Sequence, residues 1–452
     1  MLGRRDELLL LENLYAANSL QIALLEGGKG LGKTTLVKEF SKRKRSFYFA
    51  ARDNIEKFNQ KALFEEACLQ GFGNNGRAVD WRDALEYIFK AALGEKIIFI
   101  IDNAQLLESA FPSFWRAFQS LTESYRCRLR LLVVFVGEGT EKLSERLAGY
   151  RNIITHLRLE LLRFHETLQY FAGLENEDKV LLYGITGGKP LYVKQVDTGL
   201  SLKDNLLKLF YNENSELLYF GEKLLAEKLR QPHIYHAILY AVACGALRMK
   251  EIAEAIGMED NKTSKYVNAL VQLGFLRRMT PVSENNTAQC KNVCYLFADN
   301  MLYFWYKFVY PHISAIALGL GHVVLKNKIL PCLQQYSAKV FLDVCYQHCL
   351  ALKARGNFSI AFERLGYIWP RGGTLPDFRL AAYAPGCACY MRCVWSRTKV
   401  DLDAIVSLQE EYGDGGVNDY YVIFSRKGFT DKALASDARL KNVRLISLRY
   451  FT

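Results

Sequence analysis

Nine consecutive residues, Gly27, Gly28, Lys29, Gly30, Leu31, Gly32, Lys33, Thr34 and Thr35, carry the most specific chemistry in the sequence. They fulfil the GxxxxGK(S/T) spacing of a phosphate-binding loop. The glycines permit positive φ and close backbone approach, so successive N–H groups can point at phosphate oxygens. The helix that follows adds the positive end of its dipole. Lys33 is expected on the β and γ phosphates and Thr34 on a Mg²⁺ ion. Such a site needs an acid from a second strand, and the stretch over 96–101, apolar from Ile97 onward, ends in Asp102, the Walker B position. Asn103 follows, where hydrolysing relatives carry a glutamate that polarises the attacking water; an amide cannot act as that base. A third apolar run, 131–136, leads into Gly137 and Glu138. An inward-pointing Glu138 would set a negative charge near a polyphosphate.

These residues need a strand before the loop, over 21–25, and an amphipathic helix after it, through Phe40. Around that frame stand Gly3-Arg4 with Glu7-Leu8, Tyr150-Arg151 ahead of a strand-like segment, and Gly188-Lys189-Pro190. Together with the loop and Asp102, they resemble the archaeal and bacterial P-loop ATPases of the AAA/STAND type. Those proteins continue into a winged helix and a C-terminal nuclease-like domain. The resemblance implies ATP and Mg²⁺ as cofactors. It also implies that Gly3, Arg4 and Pro190 lie near the adenine and that Arg151 is a phosphate-sensing arginine.

The expected organisation is α/β: a P-loop NTPase domain over 1–200, a helical connector over 201–231, a winged helix-turn-helix over 232–312 and a restriction-endonuclease-like domain over 313–452. In the third part, helical stretches at 235–244, 249–256 and 262–273 precede a hairpin signal ending at 293–297, with Gly257 at a turn. Lys262, Lys265, Arg277 and Arg278 are placed to meet DNA phosphates. Yet 232–300 holds seven Lys+Arg against six Asp+Glu, and a nearly neutral module gains little from counterion release. DNA is therefore a weaker expectation than intramolecular or protein docking. The aromatic stretch 297–311 reads as a packing seam, and it too fits the family.

In the family, an intact C-terminal domain carries one acid and then an E-x-K on the next strand, because carboxylates hold Mg²⁺ and the lysine steadies water. Asp377, after Pro376, could supply the first acid. Arg392 and Val394 stand where the second acid and the lysine belong, so the domain is expected to be inactive as a nuclease. Cys345, His348, Cys349, Cys387, Cys389 and Cys393 match no standard zinc spacing.

The chain has 452 residues, a formal net charge of +12 and an apolar fraction of 50%. That suffices for several cores, and no apolar run approaches the ~20 residues of a membrane span. The N-terminus lacks signal-peptide features, and eleven scattered cysteines suit a reducing compartment. A cytoplasmic, ATP-binding regulatory protein is the leading expectation. An ATPase with a non-standard catalytic acid, a DNA-binding protein, and a protein partner or self-association remain alternatives.

Overall fold

The computed structural model describes residues 3–73, 80–125, 128–139, 141–227, 229, 231–284, 289–358, 361–369, 377–412, 419–437 and 442–451. The chain forms two compact units, Met1–Leu162 with Lys189–Leu191, and Arg163–Gly188 with Tyr192–Thr452. The first unit thus ends nearer 162 than the expected 200, because 163–188 and the chain from 192 pack into the second core.

In the first unit, β1 (Gln21–Glu26), β2 (Ser46–Ala50), β3 (Ile97–Asp102), β4 (Leu131–Gly137) and β5 (Ile154–Arg158) form one sheet in the order β2-β3-β4-β1-β5. All pairings are parallel. β3 and β4 are buried along their whole length, as expected of strands covered on both faces. Alternation divides their side chains between two cores. Ile97, Phe99 and Ile101 join Trp81, Phe89 and Phe118 on one face, while Ile98 and Ile100 join Leu36, Val37 and Phe40 on the other.

In the second unit, helices Asn176–Thr186, Leu202–Phe210 and Phe220–Ala226 lead to Pro232–Cys244, Met249–Ile256 and Asp260–Gln272. The antiparallel pair β6 (Leu276–Met279) and β7 (Cys294–Phe297) follows. This is the helix, helix, helix, hairpin order read from the sequence. Gly257, at φ 65°, closes the second of the three helices in the left-handed region. Residues 285–288, part of the expected wing, lie outside the described residues.

The aromatic stretch is the seam that was expected. Trp305 is fully buried, and its Nε1 donates to the Leu217 and Leu218 carbonyls at 3.0 and 3.1 Å. Gly221 makes room for it, since a Cβ there would come within 2.4 Å of the indole.

The helical run Asn300–Ala354 is long and apolar enough to cross a membrane by length and composition, with a mean hydropathy of 1.6 over an 18-residue window. This corrects the reading that no stretch qualifies. The run bends at Gly319, which has φ 80°. Phe304, Trp305, Phe341 and Cys345, on either side of the bend, are packed in the core of the unit. Length and composition alone do not separate a core helix from a span.

A mixed sheet completes the unit: β8 (Arg364–Ile368), β9 (Arg379–Ala384), β10 (Cys387–Val394), β11 (Tyr420–Ser425) and β12 (Val443–Ser447), ordered β12-β11-β10-β9-β8. β8, β9 and β10 pair antiparallel, and β10, β11 and β12 pair parallel.

Candidate functional site

In an open parallel sheet, ligands bind beyond the carboxyl ends of the strands. Strand order decides which residues meet there. β4 lies between β1 and β3, so Glu138, just past β4, stands between the loop that follows β1 and the acid that ends β3. The Gly27 N–H donates to the Gly137 carbonyl at 3.3 Å, and the Ala104 N–H to the Val136 carbonyl at 2.9 Å. The three strand ends are thereby tied together.

The loop takes the shape its glycines allow. Gly30 and Gly32 have φ of 83° and 87°, a region that costs other L-residues energy. Helix Lys33–Ser41 starts directly after Gly32. A Cβ on Gly27 would lie 3.1 Å from the Leu159 carbonyl oxygen, so the backbone can sit closely against β5's exit. Lys33 Nζ donates to the Gly27 carbonyl, to the Gly28 carbonyl at 3.1 Å and to Glu138 Oε1 at 3.4 Å.

Asp102 is 6% exposed and accepts three hydrogen bonds. Thr34 Oγ1 and Tyr48 Oη donate to its Oδ2 at 2.7 and 2.8 Å, and the Asn103 N–H donates to its Oδ1 at 2.9 Å. Thr34 and Asp102, called from the sequence as one magnesium site, are therefore in contact. Their hydroxyl and carboxylate are the hard oxygen ligands Mg²⁺ prefers, and the cation-bearing, glycine-rich loop beside them suits a polyphosphate. The residues fit ATP with Mg²⁺. Tyr48 was missed. Its phenol is pushed well above its usual range by burial and then by Asp102, so it stays a donor. Nothing in the alternation of β2 signals this partner, which comes from the β2–β3 neighbour relation.

Asn103, next to the Walker B acid, has hydrogen-bond partners of its own. It sits at φ 55°, and its Nδ2 donates to the Ala51 carbonyl at 3.3 Å.

Arg4, only 2% exposed, donates to the Leu31 carbonyl at 3.3 Å, to the Glu160 carbonyl and to Glu7. It braces the loop from beneath. Gly3, at φ 73°, turns the chain into helix Arg5–Ala16. Pro190 lies in a segment resting on the loop: the Leu191 N–H donates to the Gly30 carbonyl at 3.3 Å, and a Cβ on Gly30 would meet Lys189 at 3.0 Å.

Arg151 is a correction. It precedes β5, which runs parallel to β1 with Ile154 opposite Ile22, so it lies at the amino edge of the sheet. At ~3.3 Å per residue this is roughly 15 Å or more from the loop. Arg158, opposite Glu26, is the β5 arginine on the loop's side.

In the second unit, two of the three residues called as a degenerate nuclease site, Asp377 and Arg392, are linked through an ion-pair network, while Val394 packs against an apolar cluster. Arg379 pairs with Asp377 at 2.9 Å and also with Glu411, while Arg392 donates to Glu411 at 3.0 Å and pairs with Ser407. Burial raises the Glu411 carboxyl, but Arg379 and Arg392 outweigh it and hold it below the usual carboxylate range. Asp377 is 70% exposed. Pro376, called with it, lies outside the described residues. Glu411 was not foreseen, since a helix supplies it. No group of three or more potential metal-binding side chains is found among the described residues.

The expected wing is docked. The Val282 N–H donates to the Tyr367 carbonyl of β8 at 2.9 Å, and Trp369 Nε1 donates to Asn292 at 2.9 Å. Arg277, one of the four residues expected at DNA phosphates, turns inward with its guanidinium 5.6 Å from the Tyr367 ring. Lys262, Lys265 and Arg278 remain exposed.

Comparison with known proteins bears on both units. Residues 18–147 match the family described as "AAA domain", which takes in the loop, Asp102 and Glu138. Residues 305–401 match the family described as "Archaea bacterial proteins of unknown function", which takes in the aromatic seam from Trp305 onward, Asp377, Arg392 and Val394. An uncharacterized protein of Methanocaldococcus jannaschii is 25% identical over 376 residues, 82% of each chain. Among solved structures, the Walker-type ATPase of Pyrococcus abyssi covers 68% of this chain and 96% of its own at 15% identity and a TM-score of 0.47. The Aeropyrum pernix ORC2 protein covers 70% and 94% at 13% identity and the same TM-score of 0.47.

Proposed function

For this chain, an AAA-type P-loop ATPase domain joined to a region of the "Archaea bacterial proteins of unknown function" family, we propose a regulatory role. It binds ATP with Mg²⁺ and hydrolyses it slowly or not at all, and its nucleotide state controls the posture of the winged-helix and nuclease-like parts. Lys33 and the loop amides hold the phosphates. Thr34 and Asp102 hold Mg²⁺, which screens phosphate charge when bound. Tyr48 and the Asn103 amide keep the Asp102 carboxylate oriented. One observation carries the slow-hydrolysis reading: Asn103, at the position of the usual glutamate, is anchored to the Ala51 carbonyl. Losing a positioned base typically costs on the order of 10²–10⁴-fold.

The test is calorimetry with ATP and Mg²⁺ alongside single-turnover hydrolysis, for wild type and Lys33→Ala. Binding lost in the variant with little wild-type turnover is the expected result. Unchanged ATP binding in Lys33→Ala would sink the site itself.

A second reading, an active ATPase, is favoured by Glu138. It lies beside Lys33, where a carboxylate could orient water. Robust wild-type turnover abolished by Glu138→Gln would replace the regulatory reading with this one. DNA binding through the winged helix has less support, because the module is nearly neutral and its wing is engaged with β8.

A further inference from the structure

A cavity of about 110 Å³ in the second unit takes no part in the phosphate-loop chemistry. Its apolar wall includes Val242, Leu296, Phe297, Leu342, Tyr367 and Phe378, and three charged side chains also face it: Arg277, Lys339 and Asp343. Arg277 Nε is buried and has no hydrogen-bond partner. Lys339 Nζ donates to the Tyr303 hydroxyl at 3.0 Å. Asp343 is held by neutral donors, Asn300 Nδ2 at 3.2 Å, Gln347 Nε2 at 3.1 Å and the Tyr367 hydroxyl at 3.4 Å. None of the three forms an ion pair with a described residue.

A half-buried Arg277 with an unpartnered Nε thus lies across the cavity from a half-buried carboxylate without being neutralised by it, an arrangement that costs free energy until something pairs them, and Lys339 adds a second cation at an exposed position. Apolar walls with a few convergent polar groups are the make-up of a small-molecule site. Size narrows the choice. A water takes up ~30 Å³, so the cavity holds about four waters, or a ligand of on the order of six heavy atoms. That is too small for a nucleotide, a sugar or a peptide.

We propose that this cavity binds a small zwitterion, an aliphatic α-amino acid. Its carboxylate sits on Arg277 and Lys339, its ammonium on Asp343 and its side chain against Val242, Leu296 and Leu342. Arg277 is on the ribbon strand β6, Asp343 is on helix Leu333–Ala354, and Tyr367 is on β8, so the ligand would bridge three elements of the unit. This assignment is independent of the nucleotide reading.

The test uses the full-length protein, calorimetry and thermal unfolding. L-alanine is the probe, with acetate and methylamine as half-ligand controls. L-alanine is expected to bind and raise Tm, and each half-ligand to bind at least about tenfold more weakly. Arg277→Met and Asp343→Asn should each weaken L-alanine by about tenfold or more. Lys339→Met, at an exposed position, keeps the test readable if a buried substitution prevents folding, and it should weaken L-alanine too. Acetate binding as tightly as L-alanine would overturn the proposal. So would L-alanine affinity unchanged in all three variants, or no binding of glycine, L-alanine or L-valine at millimolar concentration.

Discussion

Lys33 Nζ lies 3.4 Å from Glu138 Oε1, so the lysine expected to hold phosphate already has an anionic partner. Incoming phosphate must displace that carboxylate or accept it as a neighbour of like charge. Glu138 is 48% exposed, so the pair is worth at most about 1 kcal/mol. Glu138→Gln is therefore expected to tighten ATP binding by up to about fivefold. Calorimetry checks this, and unchanged or weaker affinity would remove Glu138 from the competition for Lys33.

Replacing Asn103 with glutamate should raise ATP turnover by at least about tenfold, because it restores a water-orienting carboxylate beside the magnesium acid. The gain is limited by backbone geometry. Position 103 has φ 55°, which asparagine tolerates better than glutamate, so a stability loss on the order of 1 kcal/mol should accompany it. Steady-state hydrolysis and urea melts read both effects. Turnover that stays flat in a folded variant would mean the rest of the site is not arranged for hydrolysis.

The C-terminal sheet should not nick DNA with Mg²⁺. Both carboxylates near the expected site, Asp377 and Glu411, are already bound to Arg379, and Arg392 adds a second cation to Glu411. A divalent ion meets positive charge there instead of free anionic oxygen. The double variant Arg392→Glu with Val394→Lys restores the missing pattern, and plasmid nicking that appears only in this variant would confirm the register. Wild-type nicking that is lost in Asp377→Ala would refute it.

His348 should make stability depend on pH. Its imidazole is pushed down from 6.5 to about 4, by burial first and then by Arg444, Arg355 and His165. Its ring stacks on Phe451 with centroids 4.1 Å apart. Between about pH 4 and 6.5 the unfolded chain binds the proton and the folded chain does not, so stability is full above pH 6.5 and falls as the pH drops toward 4. The loss is on the order of 2–3 kcal/mol at the acid end. Urea melts at several pH values should show this slope in wild type and a shallower one in His348→Gln. Identical slopes would place the acid sensitivity elsewhere.

The sequence by itself determined the phosphate loop, the acid at Asp102 and the helix-helix-helix-hairpin order. Each is written in local spacing: glycines where the backbone must turn left-handed, an apolar run of strand length ending in an acid, helical periodicity closed by Gly257. Tertiary structure alone decided what strand order and long-range packing bring together. Tyr48 reaches Asp102 because β2 lies beside β3, and Glu138 reaches Lys33 because β4 lies between β1 and β3. Arg151 falls at the wrong edge because β5 runs parallel to β1. Glu411 meets Arg392 across a helix-to-strand contact, and Arg277 turns away from solvent because the ribbon docks on β8. Periodicity records which face of an element is buried, but it carries no record of the element buried against it.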